Sequence, residues 1–412
     1  LTRLSTIVIA GAGQAGFQAA ASLRQAGFRG ELCLVGDEAG LPYQRPPLSK
    51  AYLSGKLSRE GLLFRAKAFF SDNDIRVIDN TRVTKLDRLS KRVMLSSGEA
   101  LHYDHLILAL GARNRALAVE GRDLDGVFGL RTVADVDRLR VRLKSAGQIV
   151  VVGAGFIGGE FAAVASALGK SVLMLEAADR VMGRAVSADM SEFFHRAYAQ
   201  WGVHLVLGHQ LKRIVGQNGS VSGIVTEQGL SAPADVIVYG IGAMPNVELA
   251  VDAGLEAANG IRVNDQLVTS DPAISAIGDC SCWPAPYAGC DIRLESVQNA
   301  ADQGRAVAAR IMGSTKPYSA VPWFWSDQRD VKLQIAGFSP GSDRSIVLGD
   351  PEKNSFSVFC FRKGEIVAVE SVNRTVDHMA ARKLFERTDR ELSPDDVCRP
   401  GFSLKDCIIA KV

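Results

Sequence analysis

The stretch Thr6–Glu38, TIVIAGAGQAGFQAAASLRQAGFRGELCLVGDE, decides the fold. Thr6–Ala10 is an apolar run with no turn residue, which reads as a buried strand. Phe17, Ala20, Ala21 and Leu23 then fall at helical spacing within Gly16–Ala26, and Leu32–Val35 is a second apolar run. Strand, glycine turn, helix and strand in about thirty residues imply a parallel pair joined by a right-handed crossover. In the turn, Gly11 permits the tight reversal, Gly13 lets the backbone approach a pyrophosphate, and Gly16, after Ala15, lets the helix lie on the strand. The helix N-terminus offers unpaired N–H groups and partial positive charge to the phosphates. Asp37 and Glu38 close the second strand, where a carboxylate accepts ribose hydroxyls.

The same order returns in Gln148–Glu176, QIVVVGAGFIGGEFAAVASALGKSVLMLE, with Gly153, Gly155, Ile157 and Gly158 in the turn. Here Glu176 ends the second strand and is followed by Ala177 and Ala178. A carboxylate without an adjacent cation accepts the adenosine hydroxyls and repels a 2′-phosphate, so NADH is expected over NADPH. The two motifs lie too far apart to be halves of one unit, so two Rossmann-like, doubly wound nucleotide-binding domains are expected. Their last strands, His102–Gly111 and Ala234–Gly242, end in glycine, and the crossings between domains are placed near Gly111 and Gly242. Two such cradles suggest one resident nucleotide, FAD, and one diffusible cosubstrate, NADH. Ile277-Gly278-Asp279 is a third glycine site: a strand end whose Asp279 can accept bonds from a polyol while Gly278 admits close approach. Beyond Val321, short apolar runs broken by Pro340-Gly341 and Lys363-Gly364 predict a small, mostly antiparallel α+β domain with a helix near Arg374–Glu386.

Composition narrows the classes. The chain has 412 residues, 47% hydrophobic and 23% charged, which points to two or three globular domains rather than disorder. A net charge of +3 gives no reason to expect nucleic acid as a partner. The longest apolar span, Gln148–Gly169, is interrupted by Glu160 and several glycines, so no membrane segment is expected. Seven cysteines without a CxxC suggest neither a disulfide framework nor a metal site, and make the cytoplasm the default compartment.

Further motifs carry a resemblance: LPYQRPPLSKAYL at Leu41–Leu53, RTVADVDRL at Arg131–Leu139, GGE at Gly158–Glu160, GIGAMPN at Gly240–Asn246, AIGDC at Ala276–Cys280, ESVQNAADQG at Glu295–Gly304 and WFWSDQ at Trp323–Gln328. With the two glycine cradles, these resemble the FAD-dependent NADH:ferredoxin reductases related to glutathione reductase. That group takes in putidaredoxin reductase, the reductase components of aromatic dioxygenases and apoptosis-inducing factor. The resemblance implies an FAD domain split over residues 1–111 and 243–320, an NAD(H) domain over 112–242, and a C-terminal domain over 321–412. It carries FAD contacts onto Gly13, Ala15, Asp37, Arg45, Lys50, Val83, Arg131, Asp279, Val297 and Trp325. Lys50 is expected to stabilise negative charge on the reduced flavin. Glu160, read as lying in the first turn of its helix, either pairs with Lys50 or orients the nicotinamide carboxamide. Trp325 is expected beside the flavin and Trp323 nearer the surface. Disulfide reductases of this fold carry CxxxxC beside the flavin, whereas this chain has no cysteine between Cys33 and Cys280.

The resemblance therefore implies hydride transfer from NADH to FAD and delivery of single electrons to an acidic 2Fe–2S ferredoxin serving a cytochrome P450 or an oxygenase, by a monomer or weak homodimer. An NADH oxidase or monodehydroascorbate-type reductase, and an apoptosis-inducing-factor-like interaction protein with a structural flavin, stand as alternatives. Arg45, Lys50, Lys56, Arg59, Arg65 and Lys67 against the single acid Glu60, and the acid-free Arg305, Arg310 and Lys316, are candidate docking cations. Arg65 and Arg310, with Trp323, are expected to assist docking.

Overall fold

The computed structural model describes residues 4–387 and 390–409. The chain divides into two compact units, one of residues 1–44, 59–113 and 244–320, the other of residues 45–58, 114–243 and 321–412. Residues 45–58 thus fall with the second unit, apart from the rest of the expected 1–111 segment, and the C-terminal region packs in that unit too.

The first unit is built on a five-stranded parallel sheet in the order Ile274–Ala276, His105–Leu108, Thr6–Ala10, Glu31–Val35, Arg76–Ile78. Thr6–Ala10 lies at its centre, and Ile7, Val8, Ile9 and Ala10 are fully buried, as an unbroken apolar run requires. Helices Gln14–Gln25 and Val297–Ile311 pack on one another. Their crossing is close because Gly304 has no side chain: a Cβ there would stand 2.9 Å from the Ala15 carbonyl oxygen. An antiparallel three-stranded sheet, Val83–Asp87, Arg92–Leu95 and Ala100–His102, interrupts the parallel order.

The second unit repeats the plan. Its parallel sheet runs Val203–Leu207, Ser171–Glu176, Gln148–Val152, Val236–Tyr239, Val127–Gly129. It too carries an antiparallel excursion, Leu211–Gln217, Ser220–Thr226 and Ser231–Pro233. The edge strand beside the returning strand comes last in the first unit and first in the second. The C-terminal region is a five-stranded antiparallel sheet, ordered Trp323–Gln328, Val331–Gly337, Glu365–Val372, Ser355–Arg362, Arg344–Asp350, with helix Thr375–Glu386 packed on it. No helix among the described residues is long and apolar enough to cross a membrane.

Candidate functional site

The two glycine turns have one geometry. A Cβ on Gly11 would meet the Ala109 carbonyl oxygen at 2.1 Å, and one on Gly16 would meet the Gly11 carbonyl oxygen at 1.9 Å. In the second unit, Gly153 faces the Gly240 carbonyl oxygen at 2.6 Å and Gly158 the Gly153 carbonyl oxygen at 2.0 Å. These four glycines are demanded by packing. The middle glycines differ: Gly13 has nothing within 4 Å and Gly155 only the Gly240 carbonyl oxygen at 3.9 Å. Both cap their helices without a side-chain hydrogen bond. Open space before uncapped N–H groups is what a pyrophosphate requires, so the cradles fit the two dinucleotides.

Around the first cradle the structure gathers several expected residues. Gly278 has φ +74 and a missing Cβ that would lie 2.9 Å from the Ala15 Cβ, so Gly278–Asp279 comes against the start of the first helix. Val297 opens the helix that crosses it. Asp37 is exposed and paired with Arg82 at 3.2 Å, while Glu38 accepts from the Tyr43 hydroxyl. Val83 starts the half-buried strand of the antiparallel excursion. In the second unit Glu176 accepts from the amides of Ala154 at 2.7 Å and Ala178 at 2.9 Å. The carboxylate is thereby fixed against the turn. Ile157 is exposed beside it, and Gly242 has φ +111 at the end of the returning strand.

Glu160 is the centre of a buried cluster in the second unit. It is the fifth residue of helix Phe156–Ala167, which has no acid in its first turn, so it lies one residue past the expected first-turn position. Its Oε2 lies 2.6 Å from Lys50 Nζ and accepts from Ser49 Oγ at 2.5 Å, and its Oε1 accepts from Ser326 Oγ at 2.7 Å. The pairing with Lys50 is the arrangement observed. Lys50 Nζ also donates to the Pro46 carbonyl oxygen at 3.3 Å. An ammonium has three N–H donors, which leaves one for a ligand.

The backbone that presents Lys50 is held by its own sequence. Pro46 and Pro47 open a short 3-10 turn ending at Ser49, where fixed φ favours the first helical positions. The Tyr52 hydroxyl donates to Asp137 at 2.6 Å, the Arg140 guanidinium lies 5.2 Å over the Tyr52 ring, and Arg45 donates to the Arg131 carbonyl oxygen at 2.6 Å. Arg131 precedes the Thr132–Asp135 capping box that starts helix Val133–Ser145, so RTVADVDRL is also a helix start.

Strand Trp323–Gln328 divides its residues by the period of two. Phe324, Ser326 and Gln328 meet helix Phe156–Ala167 and its surroundings: Phe324 packs on Phe156 at 4.4 Å between centroids and Ser326 on Glu160. Trp323 and Trp325 share the other face, 5.6 Å apart. Trp323 lies under the Arg382 guanidinium at 4.5 Å and beside His378. Burial, helped by Arg382 and Lys332, lowers the His378 pKa to about 4.

One docking expectation is corrected. Arg310 is turned inward, donating to Ser275 Oγ at 2.8 Å with its guanidinium 3.0 Å from His105 Nε2. Burial lowers its pKa, and burial followed by Arg310 itself lowers that of His105 to about 3. The arginine lies on the inner side of an amphipathic helix, where its long stem reaches a buried polar pair. Arg65 is exposed, its guanidinium 5.7 Å over the Phe69 ring. No group of three or more His, Cys, Asp and Glu among the described residues could hold a metal ion, and Cys33, Cys280, Cys282, Cys290, Cys360 and Cys398 are free thiols.

Residues 5–304 match the family described as pyridine nucleotide-disulphide oxidoreductase, and residues 323–408 match the reductase C-terminal family. The chain is 48% identical over 400 residues to rhodocoxin reductase of Rhodococcus erythropolis, covering 97% of this chain and 93% of that one. It is similar to the solved ferredoxin reductase for the CYP199A2 system of Rhodopseudomonas palustris, with TM-score 0.96, 46% identity and coverage of 98% of this chain and 100% of that one. It is also similar to a chain of the covalent putidaredoxin reductase–putidaredoxin complex, with TM-score 0.95, 37% identity and 98% of each chain covered.

Proposed function

The chain belongs to the pyridine nucleotide-disulphide oxidoreductase family, whose members use FAD and a pyridine nucleotide, and on that premise we propose that it is an NADH-dependent ferredoxin reductase. Bound FAD would supply a two-electron acceptor for NADH that can release electrons singly, and the acceptor in this reading is an acidic 2Fe–2S ferredoxin that serves a cytochrome P450 or an oxygenase, in the cytoplasm, with the reductase a monomer or weak homodimer.

The chain's own residues bind, orient and supply charge. Gly11, Gly13 and Gly16 make the FAD cradle, with Asp37 or Glu38 for the ribose and Asp279 for the polyol. Gly153, Gly155 and Gly158 make the NADH cradle, with Glu176 for the adenosine hydroxyls. Glu160 holds Lys50, and Lys50 supplies a fixed cation for the negative charge that develops on reduction. Trp325 and Trp323 line the way out, and exposed Arg65 assists docking.

The observation that carries the reading is the cysteine pattern. No cysteine occurs between Cys33 and Cys280, and Cys33, Cys280, Cys282, Cys290, Cys360 and Cys398 are free thiols. A family member without a resident disulfide must pass its electrons to another molecule. Anaerobic titration with NADH tests this. The flavin absorbance should bleach with no rise in the number of titratable thiols. The appearance of two new thiols would make the chain a disulfide reductase.

A further inference from the structure

Glu160 does not end the polar cluster. Ser326, which donates to Glu160 Oε1 at 2.7 Å, itself accepts from Gln328 Nε2 at 3.3 Å. Gln328 Oε1 accepts in turn from the Tyr198 hydroxyl at 3.0 Å. Every member is buried: Tyr198 and Ser326 at 0% exposure, Gln328 at 1% and Glu160 at 3%. All three donors point the same way, toward the carboxylate, so each bond polarises the next. The line ends on Glu160 Oε1, while Oε2 takes Lys50 and Ser49.

Space for this line comes from a glycine outside the dinucleotide motif. Gly153, Gly155 and Gly158 account for the cradle, but the next residue is also glycine. A Cβ on Gly159 would stand 2.1 Å from the Tyr198 hydroxyl and 2.9 Å from Gln328 Oε1. Such an approach cannot be relieved by a small shift, because the tyrosine ring is itself packed against Phe194 and Trp201. The second glycine of Gly158-Gly159-Glu160 is therefore where the line passes the helix.

We propose that Tyr198, Gln328 and Ser326 are positioning residues which hold Glu160, and through it Lys50, in register for reduction by NADH, with Gly159 as the residue that admits them. The inference rests on the proposed role of the Lys50–Glu160 pair. It is not needed for binding NADH, because none of the three residues belongs to the glycine cradle. Its effect should therefore fall on the rate of reduction and leave nucleotide affinity alone.

The test uses the FAD-loaded protein, the single variants Ser326→Ala, Tyr198→Phe, Lys50→Met and Glu160→Gln, and the Ser326→Ala/Glu160→Gln double variant. Stopped-flow mixing with NADH gives the limiting rate of flavin reduction, and calorimetry gives the dissociation constant of NAD+. Ser326→Ala and Tyr198→Phe should each slow the limiting rate, by roughly threefold to tenfold for the loss of one hydrogen bond, while the NAD+ dissociation constant stays within twofold. In a Glu160→Gln background, Ser326→Ala should slow it no further. If Lys50→Met slows reduction but Ser326→Ala and Tyr198→Phe leave it at the parent rate, the positioning line is refuted and the Lys50 reading survives. Additive slowing in the Glu160→Gln background also refutes the line. If Lys50→Met itself leaves reduction unchanged, both readings fail.

Discussion

Glu160 shows how a single position can be legible in kind and illegible in detail. The sequence shows a carboxylate shortly after a glycine cradle and a lysine in a proline-stiffened loop. It does not show that Ser49, Lys50 and Ser326 all meet on that carboxylate, because their separations along the chain exceed any local periodicity. Removing one partner of a fully buried ion pair costs about 3–5 kcal/mol, and less here, since Lys50 keeps 19% of its side chain exposed. Arg310 shows the opposite failure. An acid-free stretch of bases suggested a docking patch, but charge composition carries no information on which face of a helix meets solvent. Arg65→Glu should raise the KM for a ferredoxin and weaken its dependence on salt, with the fold intact. Arg310→Glu should instead lower the thermal midpoint, because it sets a carboxylate in place of the donor to Ser275. Equal effects of the two reversals on ferredoxin KM, with no loss of stability, would contradict this division.

At the scale of elements, both crossovers and the antiparallel tail could be read from apolar runs and glycine spacing, with ends within a few residues. The two antiparallel excursions, Val83–His102 and Leu211–Pro233, could not. They are largely exposed or half-exposed strands whose apolar residues alternate weakly in sequence, so they carry little of the period that marks a strand. The strand Trp323–Gln328 is visible as a motif, but nothing in its sequence marks Ser326 and Gln328, on the face opposite the tryptophans, as members of a polar line. The geometry there predicts a coupling between two elements. Gly159→Ala should destabilise the protein by about 1–3 kcal/mol through overpacking against Tyr198. Tyr198→Phe, which removes the clashing oxygen, should recover part of that loss in the double variant. Urea unfolding of the two single variants and the double variant measures the coupling, and strict additivity would mean that the slot at Gly159 is not the constraint.

At the scale of the molecule, the described residues include one strongly buried neutral imidazole in each unit. His105 has its pKa lowered to about 3 by burial and then by Arg310, and His378 to about 4 by burial and then by Arg382. Both folded values lie below that of an unfolded histidine, about 6.5. The unfolded chain therefore binds more protons between these limits, and stability is complete above about pH 6.5 and lost as the pH falls toward 3 to 4. Each histidine should remove about 2 kcal/mol between pH 7.5 and pH 5. Thermal midpoints across that range should fall, and His105→Asn should flatten the dependence. A midpoint unchanged between the two pH values would contradict the buried neutral state. The molecule joins two nucleotide cradles and a fixed cation with a cysteine-free stretch from Cys33 to Cys280, where a disulfide reductase of this fold carries its dithiol. The most direct measurement is anaerobic mixing with NADH followed by cytochrome c reduction with and without a 2Fe–2S ferredoxin. The account predicts rapid bleaching of the flavin and sustained cytochrome c turnover only when the ferredoxin is present. Flavin that NADH fails to reduce, or turnover of equal rate without the ferredoxin, would contradict it.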